Sequence, residues 1–110
     1  MAFVPYHNVT GSSGVDNQLI APGQNVGEIN SIVIANTHAT ADATVSLFLE
    51  NNPTDEAASI FTIINALAIP ANSSLIIDDK GILSFDNSTD GYGLYVTVGS
   101  SDTLDVMINL

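Results

Sequence analysis

The sequence predicts an all-β protein: an antiparallel β-sandwich, jelly-roll or immunoglobulin-like, of about seven to eight strands with an extended N-terminal arm. Three observations predict it. Apolar residues alternate in Ala43-Thr-Val-Ser-Leu-Phe-Leu49, Gly93-Leu-Tyr-Val-Thr-Val98 and Leu104-Asp-Val-Met-Ile-Asn-Leu110, the period of a half-buried strand. Turn residues recur about every eight to twelve positions. β-branched residues dominate the apolar runs, which suits strands better than helices.

Residues 1–27 differ from the rest. Gly11-Ser-Ser-Gly14, Asp16-Asn17 and Ala21-Pro-Gly23 are turn material around the isolated apolar residues Phe3, Val4 and Tyr6. The segment reads as an arm or edge segment, and a first strand folded onto its own domain is the competing reading. The sandwich domain then spans 28–110. Ile32-Val-Ile-Ala35 is its first strand and ends in the polar stretch Asn36–Asp42. Ala43–Leu49 follows and stops at Glu50-Asn-Asn-Pro-Thr-Asp-Glu56, where Pro53 cannot continue a ladder.

A helix over Asp55–Ala68 competes for the next stretch. The run Ile60, Thr62, Ile63, Ile64 decides for strands over Ser59–Ile64 and Ala66–Ile69, with Asn65 as a bend or bulge. Pro70-Ala-Asn-Ser73 turns the chain into Leu75-Ile-Ile77. Asp78-Asp-Lys-Gly81 is a tight turn before a short strand, Ile82-Leu-Ser-Phe85. Asp86–Gly91 leads into the last two strands.

At 110 residues and 45% hydrophobic content, the chain can bury a real core, roughly two thirds of its unfolded surface. It has no cysteine, so neither a disulfide nor a thiolate metal site is available. Twelve acidic residues against Lys80 alone give a formal charge of −11. Such a surface repels phosphates, which argues against nucleic acid and anionic membranes as partners. The N-terminal residues lack the basic and apolar regions of a secretory signal, and the window Ala57–Ala71 is too short and polar to span a bilayer.

Few residues offer chemistry. Asp86, Ser88 and Asp90, followed by Gly91, match the opening of a calcium loop, yet the closing position is Thr97, within a strand. A hairpin connection explains them better. The neighbouring carboxylates Asp78-Asp79 and Asp55-Glu56 point to opposite faces of an extended chain and form no dyad by themselves. No Gly-x-Ser-x-Gly elbow surrounds a serine, and no phosphate loop precedes the single lysine. These patterns predict no catalytic residue, no cofactor and no enzyme.

Interface candidates stand out instead. By strand phase Phe48, Tyr95 and Met107 lie with polar neighbours, and large apolar groups on polar faces mark contact surfaces. Phe3, Val4 and Tyr6 would anchor the arm on a neighbouring molecule, by adding a strand to its edge.

The phrases Ser31-Ile-Val-Ile-Ala-Asn36, Ala43–Leu49, Ile69-Pro-Ala-Asn-Ser-Ser-Leu75, Gly81-Ile-Leu and Leu104–Leu110 resemble small β-sandwich virion proteins of tailed bacteriophages. That resemblance implies a structural component of the virion, a capsid decoration protein on the outside of the shell. Its partners would be the major capsid protein or other virion proteins, and the chain itself would form a homo-oligomer. A tail, neck or baseplate accessory of the same fold is the nearest alternative. A carbohydrate-binding module for host adsorption, using Tyr92 or Tyr95, is the alternative of another class.

Overall fold

The computed structural model describes residues 5–10, 17–51, 59–88, 91–99 and 103–110. In chain order its elements are β1 (Tyr6–Thr10), β2 (Asn17–Ile20), β3 (Ser31–Asn36), β4 (Ala43–Asn51), β5 (Ser59–Ile69), β6 (Ser74–Ile77), the single helical turn α1 (Lys80–Leu83), β7 (Gly93–Val98) and β8 (Thr103–Asn109). The strands form two four-stranded antiparallel sheets, ordered β1-β8-β3-β6 and β2-β7-β4-β5. The protein is therefore an all-β sandwich.

The alternating pattern explains the packing. Ile32 and Ile34 of β3, Val45 and Leu47 of β4, Leu94 and Val96 of β7, and Leu104, Val106 and Ile108 of β8 all point into one shared core. Each such side chain contributes about 1.5–3 kcal/mol when fully buried. Successive residues point the other way, which leaves each sheet one outer face.

The described residues of the N-terminal segment form edge strands, one of the readings the sequence leaves open, and not a free arm. Residues 6–10 pair with β8, Tyr6 opposite Met107 and Val9 opposite Leu104. Residues 17–20 pair with β7. Both are edge strands of the sandwich, and Val9, Leu19 and Ile20 enter its core. Five- and four-residue strands carry too few alternations to be read from sequence. The competing reading, a first strand folded onto its own domain, describes these residues.

Two further details differ from or refine the sequence pattern. Ile82–Phe85 is not a strand: Asp79 accepts a hydrogen bond from Gly81 N at 2.8 Å, caps the turn of α1, and so drives Leu83 into the core. β5 is continuous over its eleven residues, and its register shifts between the partners of Val45 and Phe48. Ala66 adopts φ 51° there, and its N–H is taken by Ser46 Oγ at 2.9 Å, so the irregularity expected at Asn65 is a bulge of Asn65 and Ala66 opposite Ser46.

The register also sorts the connections into two poles. The strand ends that lead from β2 to β3, from β4 to β5 and from β6 to β7 stand at the first pole, and the ends that lead through the other four connections stand at the second. At the first pole Asn87 O accepts from Gly23 N and Asn25 N at 3.0 and 3.2 Å, and Asn51 Nδ2 donates to Gly91 O at 3.1 Å. At the second, the buried Asn36 donates from Nδ2 to Ala41 O and Ile69 O, both at 2.9 Å, while its Oδ1 accepts from His38 N at 3.0 Å. Among the described residues no helix is long and apolar enough to cross a membrane.

Candidate functional site

The sequence candidates part company in the structure. Phe3 and Val4 lie outside the described residues. Phe48 and Tyr95 do occupy the outer face of the β2-β7-β4-β5 sheet, directly opposite each other across β4 and β7. Their rings stack with centroids 5.8 Å apart and planes inclined by 15°. Gln18 Nε2 on the neighbouring β2 donates to Tyr95 Oη at 2.9 Å. The Tyr95 ring also folds over Gly93, whose missing side chain leaves it room: a Cβ there would stand 2.9 Å from Tyr95 Cε1. The result is a correction. Phe48 is 7% exposed and Tyr95 9%, so the pair seals its own sheet face instead of offering an open contact surface.

Tyr6 and Met107 behave differently. They are paired across β1 and β8, Met107 is paired in turn with Val33 of β3, and Val33 with Ile76 of β6. These four outward side chains form a continuous apolar row across every strand of the β1-β8-β3-β6 sheet. Its ends are the most open, Tyr6 at 68% and Ile76 at 62% exposure, and Val33 and Met107 are half-buried between them. Strand spacing makes such a row roughly 15 Å long.

The polar residues on either side complete the face. Towards the second pole stand Asn8, Asp105, Ala35 and Ser74, with Asn8 Nδ2 donating to Asp105 Oδ1 at 2.7 Å. Towards the first pole Asn109 Nδ2 donates to Ser31 Oγ at 2.9 Å. Asp105 is the only charged side chain among these residues.

Val33 and Ile76 escaped the sequence reading for a physical reason. Ile32-Val-Ile-Ala35 and Leu75-Ile-Ile77 are continuous apolar runs, and a run carries no phase. Only cross-strand register shows which member faces out. A further exposed apolar group, Ile60 and Phe61 on the edge strand β5, lies near the first pole, where Phe61 meets Tyr92 edge-on at 5.6 Å.

The calcium-like loop resolves into a turn. Asp86 Oδ1 accepts from Ser88 N at 2.9 Å, Ser88 O accepts from Gly91 N at 2.9 Å, and Asp86 O accepts from Tyr92 N at 2.6 Å. Gly91 is required because a Cβ would collide with the Asp86 carbonyl. The Ser88 hydroxyl and then the Ser88 N–H hold the Asp86 carboxyl below its ordinary value. Turn geometry thus accounts for Asp86, Ser88 and Gly91; Asp90 lies outside the described residues. No three His, Asp or Glu side chains among the described residues are grouped to hold a metal ion.

An open cleft of about 410 Å³ beside this turn is lined by Glu28, Phe85 and Asp86 together with amides and hydroxyls. Lys80 Nζ is paired with Glu28 at 2.9 Å. His38 Nδ1 accepts the N–H groups of Thr40 and Ala41 at 3.2 and 3.1 Å, which commits that ring atom to loop closure. Comparison of the chain with protein-family models, with curated proteins and with solved structures finds no match.

Proposed function

We propose that this chain is a non-enzymatic structural protein of a tailed-bacteriophage virion, a capsid decoration protein that binds the outside of the shell and acts by presenting surfaces. The observation that carries the reading is the apolar row Tyr6–Met107–Val33–Ile76, a large exposed contact strip on a rigid sheet of a strongly acidic molecule. The resemblance of its strand phrases to phage β-sandwich proteins supplies the setting, with the major capsid protein or another virion protein as partner. Multivalent display on a symmetric shell would strengthen contacts that are weak singly.

Within the sandwich class the jelly-roll type is favoured. The order β1-β8-β3-β6 beside β2-β7-β4-β5, with every connection except β4–β5 crossing between sheets, supports it over the immunoglobulin-like type. The carbohydrate-binding alternative loses one of its two tyrosines, because the Tyr95 ring is spent on Phe48 and Gly93, and the other, Tyr92, is met edge-on by Phe61.

Cryo-electron microscopy of particles from the source of this chain tests the reading. Repeating density for the chain on the shell is the expected outcome. Density confined to tail or neck moves the site and keeps the structural role, and absence from particles overturns the proposal.

A further inference from the structure

We propose that the outer face of the β1-β8-β3-β6 sheet binds a second copy of this chain, row against row, with the two copies running in opposite directions. The proposal concerns the isolated protein and uses the same row as the virion reading, so on a shell the capsid contact would displace the second copy.

The row identifies the surface, and charge identifies the occupant. Two copies that each carry a formal charge of −11 repel wherever their carboxylates face each other. On this face the polar neighbours of the row are amides and hydroxyls, with Asp105 already held by Asn8 at 2.7 Å. Depletion of charge around an apolar centre is the compositional mark of an interface core. A like-charged copy can approach here at little electrostatic cost.

Charge also selects the orientation. Of the seven acidic side chains among the described residues, Glu28, Glu50, Asp78, Asp79 and Asp86 stand at the first pole, and Asp42 and Asp105 at or towards the second. A two-fold axis parallel to the strands would superpose the two acidic poles and bring the Asp105 carboxylates near each other. A two-fold axis along the row turns the second copy end for end. It sets the acidic pole of each copy over the acid-poor pole of the other, and Asp105 then faces the amide and hydroxyl of Asn109 and Ser31 on the second copy. Tyr6 meets Tyr6 and Ile76 meets Ile76, the self-complementary pattern of a closed dimer.

Size sets the strength. Four strands about 4.8 Å apart and about 20 Å long present roughly 400 Å², about half of one partner's share in a standard interface. A contact of this size is at the small end of the range and is sought at high protein concentration.

Sedimentation velocity from about 5 to about 500 µM tests the association. The wild type should shift from monomer to dimer, and Ile76→Lys should weaken the dimer at least about tenfold. Circular dichroism should stay unchanged, because Ile76 is exposed. A wild type that stays monomeric throughout, or an Ile76→Lys variant that dimerises equally well, overturns the proposal and leaves the virion reading to its own test. The absence of cysteine allows a second measurement of orientation. With a short bismaleimide, Tyr6→Cys on the axis should give covalent dimer and Asn8→Cys off the axis should not. Equal cross-linking of both, or of Asn8→Cys alone, overturns the antiparallel arrangement.

Discussion

Tyr95 lies flat against Phe48 across β7 and β4, 5.8 Å between ring centroids, on the face of the sheet that the strand pattern marks as polar. Outward phase and exposure are thus separate properties. A side chain on the outer face is still removed from water when a cross-strand aromatic partner covers it. Truncating Phe48 to Ala should cost about 3 kcal/mol. Tyr95→Phe, which loses only the bond from Gln18, should cost about 1 kcal/mol. Tyr6→Ser should stay within about 0.5 kcal/mol, as an exposed site does. Urea denaturation of the three variants checks the order, and equal losses for Tyr6→Ser and Phe48→Ala would refute it.

Asn36 is the polar pin of the second pole. One buried amide serves Ala41 O, Ile69 O and His38 N, and so ties the β3–β4 connection to the end of β5. Asn36→Leu keeps a comparable volume but leaves buried carbonyls without a donor. The expected loss is about 2–4 kcal/mol, at about 1–3 kcal/mol for each group left unsatisfied. Amide exchange in residues 37–42 and 70–73 should quicken together, because both segments depend on the same side chain.

How much of this was legible in the sequence follows from what each signal can carry. Strands β4, β7 and β8 announce themselves because alternation over six or more residues fixes both type and phase, whereas β3 shows its type through β-branched residues and not its phase. β1 and β2 do not, since Tyr6–Thr10 and Asn17–Ile20 show one buried residue and one buried pair. Ile82–Phe85 misled because its composition suits a strand, whereas Asp79 capping Gly81 N decides locally for a helical turn. Of the interface candidates, Tyr6 and Met107 share one row, and Phe48 and Tyr95 close on each other. Their partners Val33 and Ile76 were hidden in unphased runs, since register between strands far apart in sequence has no local signature.

Deleting residues 2–14 distinguishes an arm from an integral strand. The deletion removes β1, uncovers the edge of β8 and takes Val9 from the core. A detachable arm would leave a stable soluble domain. An edge strand of the sandwich leaves an unprotected β8 edge, which templates aggregation. The expected outcome is loss of cooperative unfolding together with concentration-dependent aggregation, measured by thermal melting and light scattering. A soluble deletion variant with an unchanged melting temperature would contradict the role of β1 in the sheet.

Gly93 tests the same sheet from below the aromatic pair. A methyl group at this position would stand 2.7 Å from Ile20 O, 2.8 Å from Pro22 Cδ and 2.9 Å from Tyr95 Cε1. Two of these contacts are with the end of β2 and with Pro22, two residues beyond it, so the strand must shift as well as the ring. Gly93→Ala should therefore cost about 1–3 kcal/mol through overpacking and loosen the bond from Gln18 to Tyr95.

The Asp86 turn gives the protein a small dependence on acid. Its carboxyl titrates below the ordinary value of 3.8 because the Ser88 hydroxyl, and then the Ser88 N–H, bond to the charged form. A folded value below the unfolded one means that the unfolded chain takes up the proton first as pH falls. The contribution is therefore complete well above pH 3.8 and is lost as pH falls through the lower folded value. Ser88→Ala removes the larger of the two bonds and keeps the backbone one. The Asp86 titration followed by carbon NMR should accordingly move up towards the ordinary value in that variant. The stability difference from wild type should be present at neutral pH and close in the acid range. A midpoint unchanged by Ser88→Ala would show that the hydroxyl does not hold the charge and that the turn rests on its backbone bonds alone.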